Sequence, residues 1–145
     1  MKSTYRVLAL LISVGVLVQA MSVALGWFAV MKDVKGGAVY DKNTAENFGQ
    51  AVHSLVGTMV IPLLAILLLI VSFFAGVAGG VKWAAIVFGL VVLQIALAFA
   101  AFGAPVVGAL HGANALALMA VAGIAGSRVA KQTAAPPVVN TDATA

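Results

Sequence analysis

Ile61-Pro62-Leu63-Leu64-Ala65-Ile66-Leu67-Leu68-Leu69-Ile70-Val71 is the middle of an apolar run from Ala51 to Gly76 that contains no acidic residue, lysine or arginine. A helix rises about 1.5 Å per residue, so about 20 apolar residues cross a hydrocarbon core of about 30 Å. The run is long enough to do so. Working outward, three further runs have the same character, at about 7–30, 83–102 and 106–128. The expected fold is therefore all-α: an integral membrane four-helix bundle over residues 1–130, followed by a tail at 131–145.

The composition agrees, with 63% hydrophobic residues, 8% charged residues and a mean hydropathy of +1.15. That excludes an ordinary water-soluble globule and makes the lipid bilayer the first partner. The net charge of +4 does not point to nucleic acid, because the basic residues sit at the edges of apolar segments rather than on a soluble face. There is no cysteine, which excludes disulfides, thiolate metal sites and thiol nucleophiles.

The first segment imitates a signal peptide: Lys2 and Arg6 precede an apolar run, and Val18-Gln19-Ala20 resembles a cleavage site. The apolar pattern continues past Ala20 to Val30, as expected of an uncleaved anchor. Residues 31–50 form the one long polar connection, broken at Gly36-Gly37. Within it Asn43-Thr44-Ala45-Glu46 has the form of a capping box and is expected to start the second helix in water. Pro62 should kink that helix, since it lacks an N–H and its ring crowds the preceding turn. Gly103-Ala104-Pro105 makes the corner into the fourth helix, and the Pro-containing tail after Lys131 reads as disordered and cytoplasmic.

Orientation follows from the cations. Lys2, Arg6, Lys82, Arg128 and Lys131 share one side, against Lys32, Lys35 and Lys42 in the long loop, so the positive-inside rule favours both termini in the cytoplasm. In a cytoplasmic (inner) membrane the loop 31–50, and the starts of helices two and four, then lie on the outer side.

The chain has two histidines, each near the start of a helix that begins on that side. His53 has Gly49 and Gly57 at one-turn spacing; His111 has Gly108 and Ala115, with Gly112 beside it. A weak repeat pairs them: Gln19 on helix one precedes His53 on helix two, as Gln94 on helix three precedes His111 on helix four. Ionisable groups inside a membrane are costly and normally face the bundle interior, which makes each histidine a candidate functional residue. Two imidazoles on different helices, each on a strip of small residues, suit a bis-histidine b-type haem for electron transfer or haem handling.

Other uses of the same residues stand beside this one. Gly108 with Gly112 is also a helix-packing pattern, and the small-residue surface equally suits a cofactor-free accessory subunit of a larger membrane complex, or a homo-oligomer. Gln19 and Gln94 read first as interhelical hydrogen-bonding groups, Gln50 as a further polar contact, and Asn114 as a group that orients His111 or bonds a neighbouring helix. A quinone or lipid between the helices, with the histidines as polar contacts, is a third use. Zinc would need three or four ligands, and no phosphate loop, nucleophile elbow or paired acids mark an enzyme.

At His53 and His111 the pattern resembles one half of the haem A synthase family, in which a four-helix bundle carries a ligating His on its second and fourth helices. Gln94-Ile95-x-Leu97, a corner, and Leu110-His111 are similar to that family's third and fourth helices. The layout also resembles small actinobacterial four-helix membrane proteins of unknown function, with His-x-x-x-Gly on helix two (His53, Gly57) and Leu-His-x-x-Asn on helix four (Leu110, His111, Asn114). The resemblance implies His53 and His111 as haem ligands. It does not imply oxidation of a haem methyl group, because Gln50 stands where the catalytic half of the family has a Glu, and the loop cysteine pair of some members is missing.

Overall fold

A computed structural model describes residues 1–134, with side chains described to Ala130. Among these residues four helices are long and apolar enough to cross a membrane: α1 (Lys2–Lys35), α2 (Phe48–Ser72), α3 (Gly80–Gly103) and α4 (Val107–Ala134). Each extends beyond its apolar run at one end or both, because a helix continues through polar residues until something terminates it. Thus α1 runs on to Lys35, where Gly36 and Gly37 end it and the Gly36 N–H bonds back to Lys32 and Asp33 carbonyls. The second helix stops at Ser72, short of the expected Gly76, and Gly76 and Gly79 take positive φ in the turn before α3. The fourth helix continues to Ala134, so residues 131–134 are helical where a tail was expected; the rest of that tail lies outside the described residues.

α1 packs against α2 and α4, and α3 packs against the same two helices. This places α1 opposite α3 and α2 opposite α4. The buried positions recur every three or four residues: Tyr5, Ala9, Ile12, Val16, Gln19, Ser22 and Gly26 on α1, and Leu118, Ala122, Ala125 and Val129 on α4. That is the narrow seam of a bundle with closely parallel or antiparallel helices. The outward faces are just as apolar, with Leu11, Val14, Leu17, Leu63, Leu67, Val92 and Leu116 exposed. Such a surface suits contact with a lipid bilayer. Bulky aromatics such as Trp27, Phe28, Phe48 and Phe102 stand out at the loop end, forming an interfacial belt.

The capping box lies four residues later than Asn43. Asn47 caps α2: its side-chain oxygen accepts from the Gln50 N–H (3.1 Å), and Gln50 Oε1 accepts from the Asn47 N–H (2.9 Å). Asn43 instead joins a turn in which its N–H and the Thr44 hydroxyl bond the Asp41 carboxylate. These bonds, the Asn43 backbone N–H foremost, hold the Asp41 carboxyl below its usual range. Asn47 prevails because its Nδ2 also donates to the Gly26 carbonyl of α1 (3.0 Å), a tertiary bond that Asn43 lacks. Asn47→Ala is expected to cost about 2 kcal/mol, one cap plus one hydrogen bond. Asn43→Ala and Glu46→Ala should leave α2 essentially unchanged in denaturant unfolding in detergent micelles, and the reverse ranking would overturn the assignment.

Pro62 acts one turn upstream of itself. Its ring would crowd the carbonyl of Thr58, and the residues around Thr58, Val56–Val60, form a π-helical turn within α2. The helix resumes α-helical geometry at Ile61 and stays continuous.

Candidate functional site

The start of α2 is held against α1 by its backbone. Gly49 lies directly on Gly26, and a Cβ there would come within 2.6 Å of the Ser22 carbonyl oxygen and closer still to the Gly26 nitrogen. Only glycine fits that crossing. Residues four apart share a helix face, so burying Gly49 turns His53 and Gly57 inward too. Gly57 then meets the amide of Gln19, whose nearest atom is 3.5 Å from where a Cβ would stand.

On the other side of the bundle His111 is held by α3. Its Nδ1 lies 3.0 Å from the Gln94 backbone carbonyl and its Nε2 lies 3.1 Å from the Gln94 side-chain nitrogen. A carbonyl can only accept, so Nδ1 carries the proton and Nε2 receives the amide N–H. Asn114 Nδ2 donates to Gln94 Oε1 (2.6 Å) and to the Leu90 carbonyl (3.0 Å). Asn114 therefore orients Gln94 rather than the imidazole.

From diagonally opposite helices, the rings of His53 and His111 meet with centroids 6.2 Å apart and planes inclined by 70°. Both are half-buried at the loop end. The two halves of the chain are unequal here. In the second, Gln94 and His111 are bonded; in the first, both amide atoms of Gln19 and Nδ1 of His53 are buried without a hydrogen-bond partner. An unpaired buried polar atom costs about 1–3 kcal/mol, so this unfilled bonding capacity is a property of the site rather than a detail.

The remaining candidate residues are dispersed. Gln50 is exposed and belongs to the α2 cap, so the position that resembles a catalytic Glu serves a helix terminus here. Gly108 faces Ala101 of α3 at an ordinary 3.9 Å, and a Cβ on Gly112 would meet nothing within 4 Å. Gly108 and Gly112 thus make no tight crossing within this chain. Gln94 does bond across helices, whereas Gln19 does not. Two interhelical bonds carry no recognisable sequence signal: Ser13 Oγ to the Met119 carbonyl (3.1 Å) and the fully buried Tyr5 hydroxyl to the Gly80 carbonyl (3.1 Å). Serine and tyrosine in apolar runs look alike whether they face lipid or a neighbouring helix.

Among the described residues no three His, Cys, Asp or Glu side chains gather around a common point. The site offers two imidazoles, fewer ligands than a structural zinc requires. No protein-family model matches the chain, and neither a curated protein nor a solved structure is similar to it. Fold and composition define its class directly: a small multi-pass membrane bundle with a polar, histidine-bearing end.

Proposed function

We propose that the bundle binds a b-type haem between His53 and His111 and serves electron transfer or haem handling at the outer face of a cytoplasmic membrane, with both termini inside. The observation that carries this reading is the 6.2 Å separation of imidazoles from opposite helices. A ligating imidazole nitrogen sits about 2 Å from its metal, and the ring centre roughly one ångström further, so two imidazoles that share a metal ion have centres at most about 6 Å apart. The chain brings its two rings to that spacing unaided.

The chain's own residues have distinct parts in this reading. The Gln94 backbone carbonyl fixes the proton on Nδ1 of His111 and leaves the Nε2 lone pair for a metal, the usual orientation of a ligating histidine. The Gln94 amide occupies that lone pair and must turn aside for a ligand to bind. Nδ1 of His53 and the side-chain amide of Gln19, already unpaired, have no bond to give up. Iron in the haem would supply one-electron redox chemistry.

An absorption spectrum of detergent-purified protein, with haem added stoichiometrically, tests the reading. A Soret band of six-coordinate, bis-histidine character is expected, and its absence after haem addition removes the proposal. Gln94→Ala should tighten haem binding about three- to tenfold in a titration, the equivalent of one neutral hydrogen bond no longer broken. A weaker complex in that variant would refute the part assigned to the amide.

A further inference from the structure

At the end of the bundle where α1 begins and α4 ends, the two helices border a groove of about 400 Å³ lined by Ser3, Arg6, Val7, Leu10 and Val129. Its depth is set by Gly126, which draws α4 onto α1: a Cβ there would lie 3.2 Å from Leu10 and 3.5 Å from the Arg6 carbonyl. One turn on, Val129 forms the buried floor, while Arg6 and Ser3 stand exposed at the rim. The groove is therefore polar and cationic at its mouth and apolar along its length. That is the shape and polarity of a phospholipid: a headgroup joined to an acyl chain.

The charge of the surroundings selects among lipids. Lys2, Arg6, Lys82 and Arg128 lie at this end, and the described acids, Asp33, Asp41 and Glu46, all lie at the other. Arg128 itself is stacked on Trp83, 4.8 Å from the ring centroid, with Nε buried and unpaired. No described anion neutralises the rim. Basic pockets between membrane helices recognise acidic headgroups on this principle.

We propose that this groove is the site of one anionic phospholipid, whose phosphate is held by Arg6 and Ser3 and whose acyl chain lies along Val7, Leu10 and Val129. The site is independent of the histidine pair, which lies at the opposite end. A cation beside an acidic headgroup is worth about fivefold in affinity, and this sets the scale of the expected preference.

The test is native mass spectrometry of the delipidated full chain offered phosphatidylglycerol and phosphatidylcholine in equal amounts. One phosphatidylglycerol should be retained with about fivefold preference. Arg6→Gln should reduce that preference to near unity, and Lys82→Gln should preserve it. Val7→Trp, which fills the groove without changing any charge, should release the bound lipid. All three altered side chains are exposed, and unchanged far-ultraviolet circular dichroism will show that the helices remain. Equal retention of the two lipids would mean ordinary annular contact and overturn the proposal. So would a preference that Arg6→Gln leaves intact, one that both charge variants reduce alike, or retention undisturbed by Val7→Trp.

Discussion

Gly49→Ala is expected to destabilise the bundle by about 2–3 kcal/mol, the range of an overpacked interior, although it adds a single methyl group. The methyl would project into the backbone of α1 at Ser22 and Gly26. Backbone cannot rotate away as a side chain can, so α1 and α2 must separate. Separation also stretches the bond from Asn47 to the Gly26 carbonyl, which spans the same crossing. The control is Gly112→Ala, whose methyl meets nothing within 4 Å. Gly112→Ala gains the intrinsic helix preference of alanine in a helix interior, about 1 kcal/mol, and Gly49→Ala, in the first turn of α2, gains less, so a loss larger than this difference reports the crossing. Unfolding in mixed micelles, followed through Trp27 beside Gly26, should show a clear loss for Gly49→Ala and none for Gly112→Ala. Equal stability of the two would mean that α1 and α2 do not meet at these glycines.

Much of this architecture is legible in the sequence, but not by the usual rule. The four spans follow from the length of the apolar runs, since only a helix satisfies its backbone within lipid. The inward face does not follow from hydrophobicity, because the lipid-facing residues are the larger and more apolar ones. Small and weakly polar residues mark the seam instead: Ala9, Gln19, Ser22 and Gly26 on α1, Ala65 and Ser72 on α2, Ala84 on α3, and Asn114, Ala122 and Ala125 on α4. Read that way, the Gly49-His53-Gly57 strip identifies the inward face of early α2 correctly. The Gly108-Gly112 pair misleads, since only its surroundings reveal that Gly112 faces open space. The α2 cap shows the same limit. Asn43 to Glu46 and Asn47 to Gln50 both satisfy the local pattern, and the bond to Gly26 that decides between them is non-local.

The candidate site was legible as residue types and helix positions, and the sequence repeat even hinted at their equivalence. It did not convey their inequality. Gln94 is drawn to His111 by Asn114, which anchors the amide from one turn below. The first half has Gly57 opposite Gln19 where an anchoring side chain would be needed, and there the amide remains unpaired. One histidine therefore has both ring nitrogens fixed by a network, and the other leaves its Nδ1 without a partner.

That inequality separates ligation from folding in the variants His53→Ala and His111→Ala. Under the haem proposal either substitution removes an axial ligand, so both should lose the bis-histidine Soret signature and bind haem at least tenfold more weakly, a conservative figure for loss of a metal ligand given the effects of removing even its supporting bonds. Their stabilities without haem should nevertheless differ. Nδ1 of His53 has no hydrogen bond to lose, so His53→Ala removes an unpaired buried polar atom and should alter stability by less than about 1 kcal/mol. His111→Ala deprives the Gln94 side-chain N–H of its partner inside the bundle, while the Gln94 carbonyl keeps its bond within α3, and should cost about 1–3 kcal/mol. A folded protein that no longer takes up haem is thus expected from the His53 change alone. If His53→Ala instead keeps the full spectrum, the imidazole at that position is a packing group and the ligand pair does not exist. If it abolishes the spectrum and leaves the unfolding curve in place, the uneven hydrogen bonding of the two halves is what a ligand site requires: one imidazole oriented in advance, the other free to accept the metal.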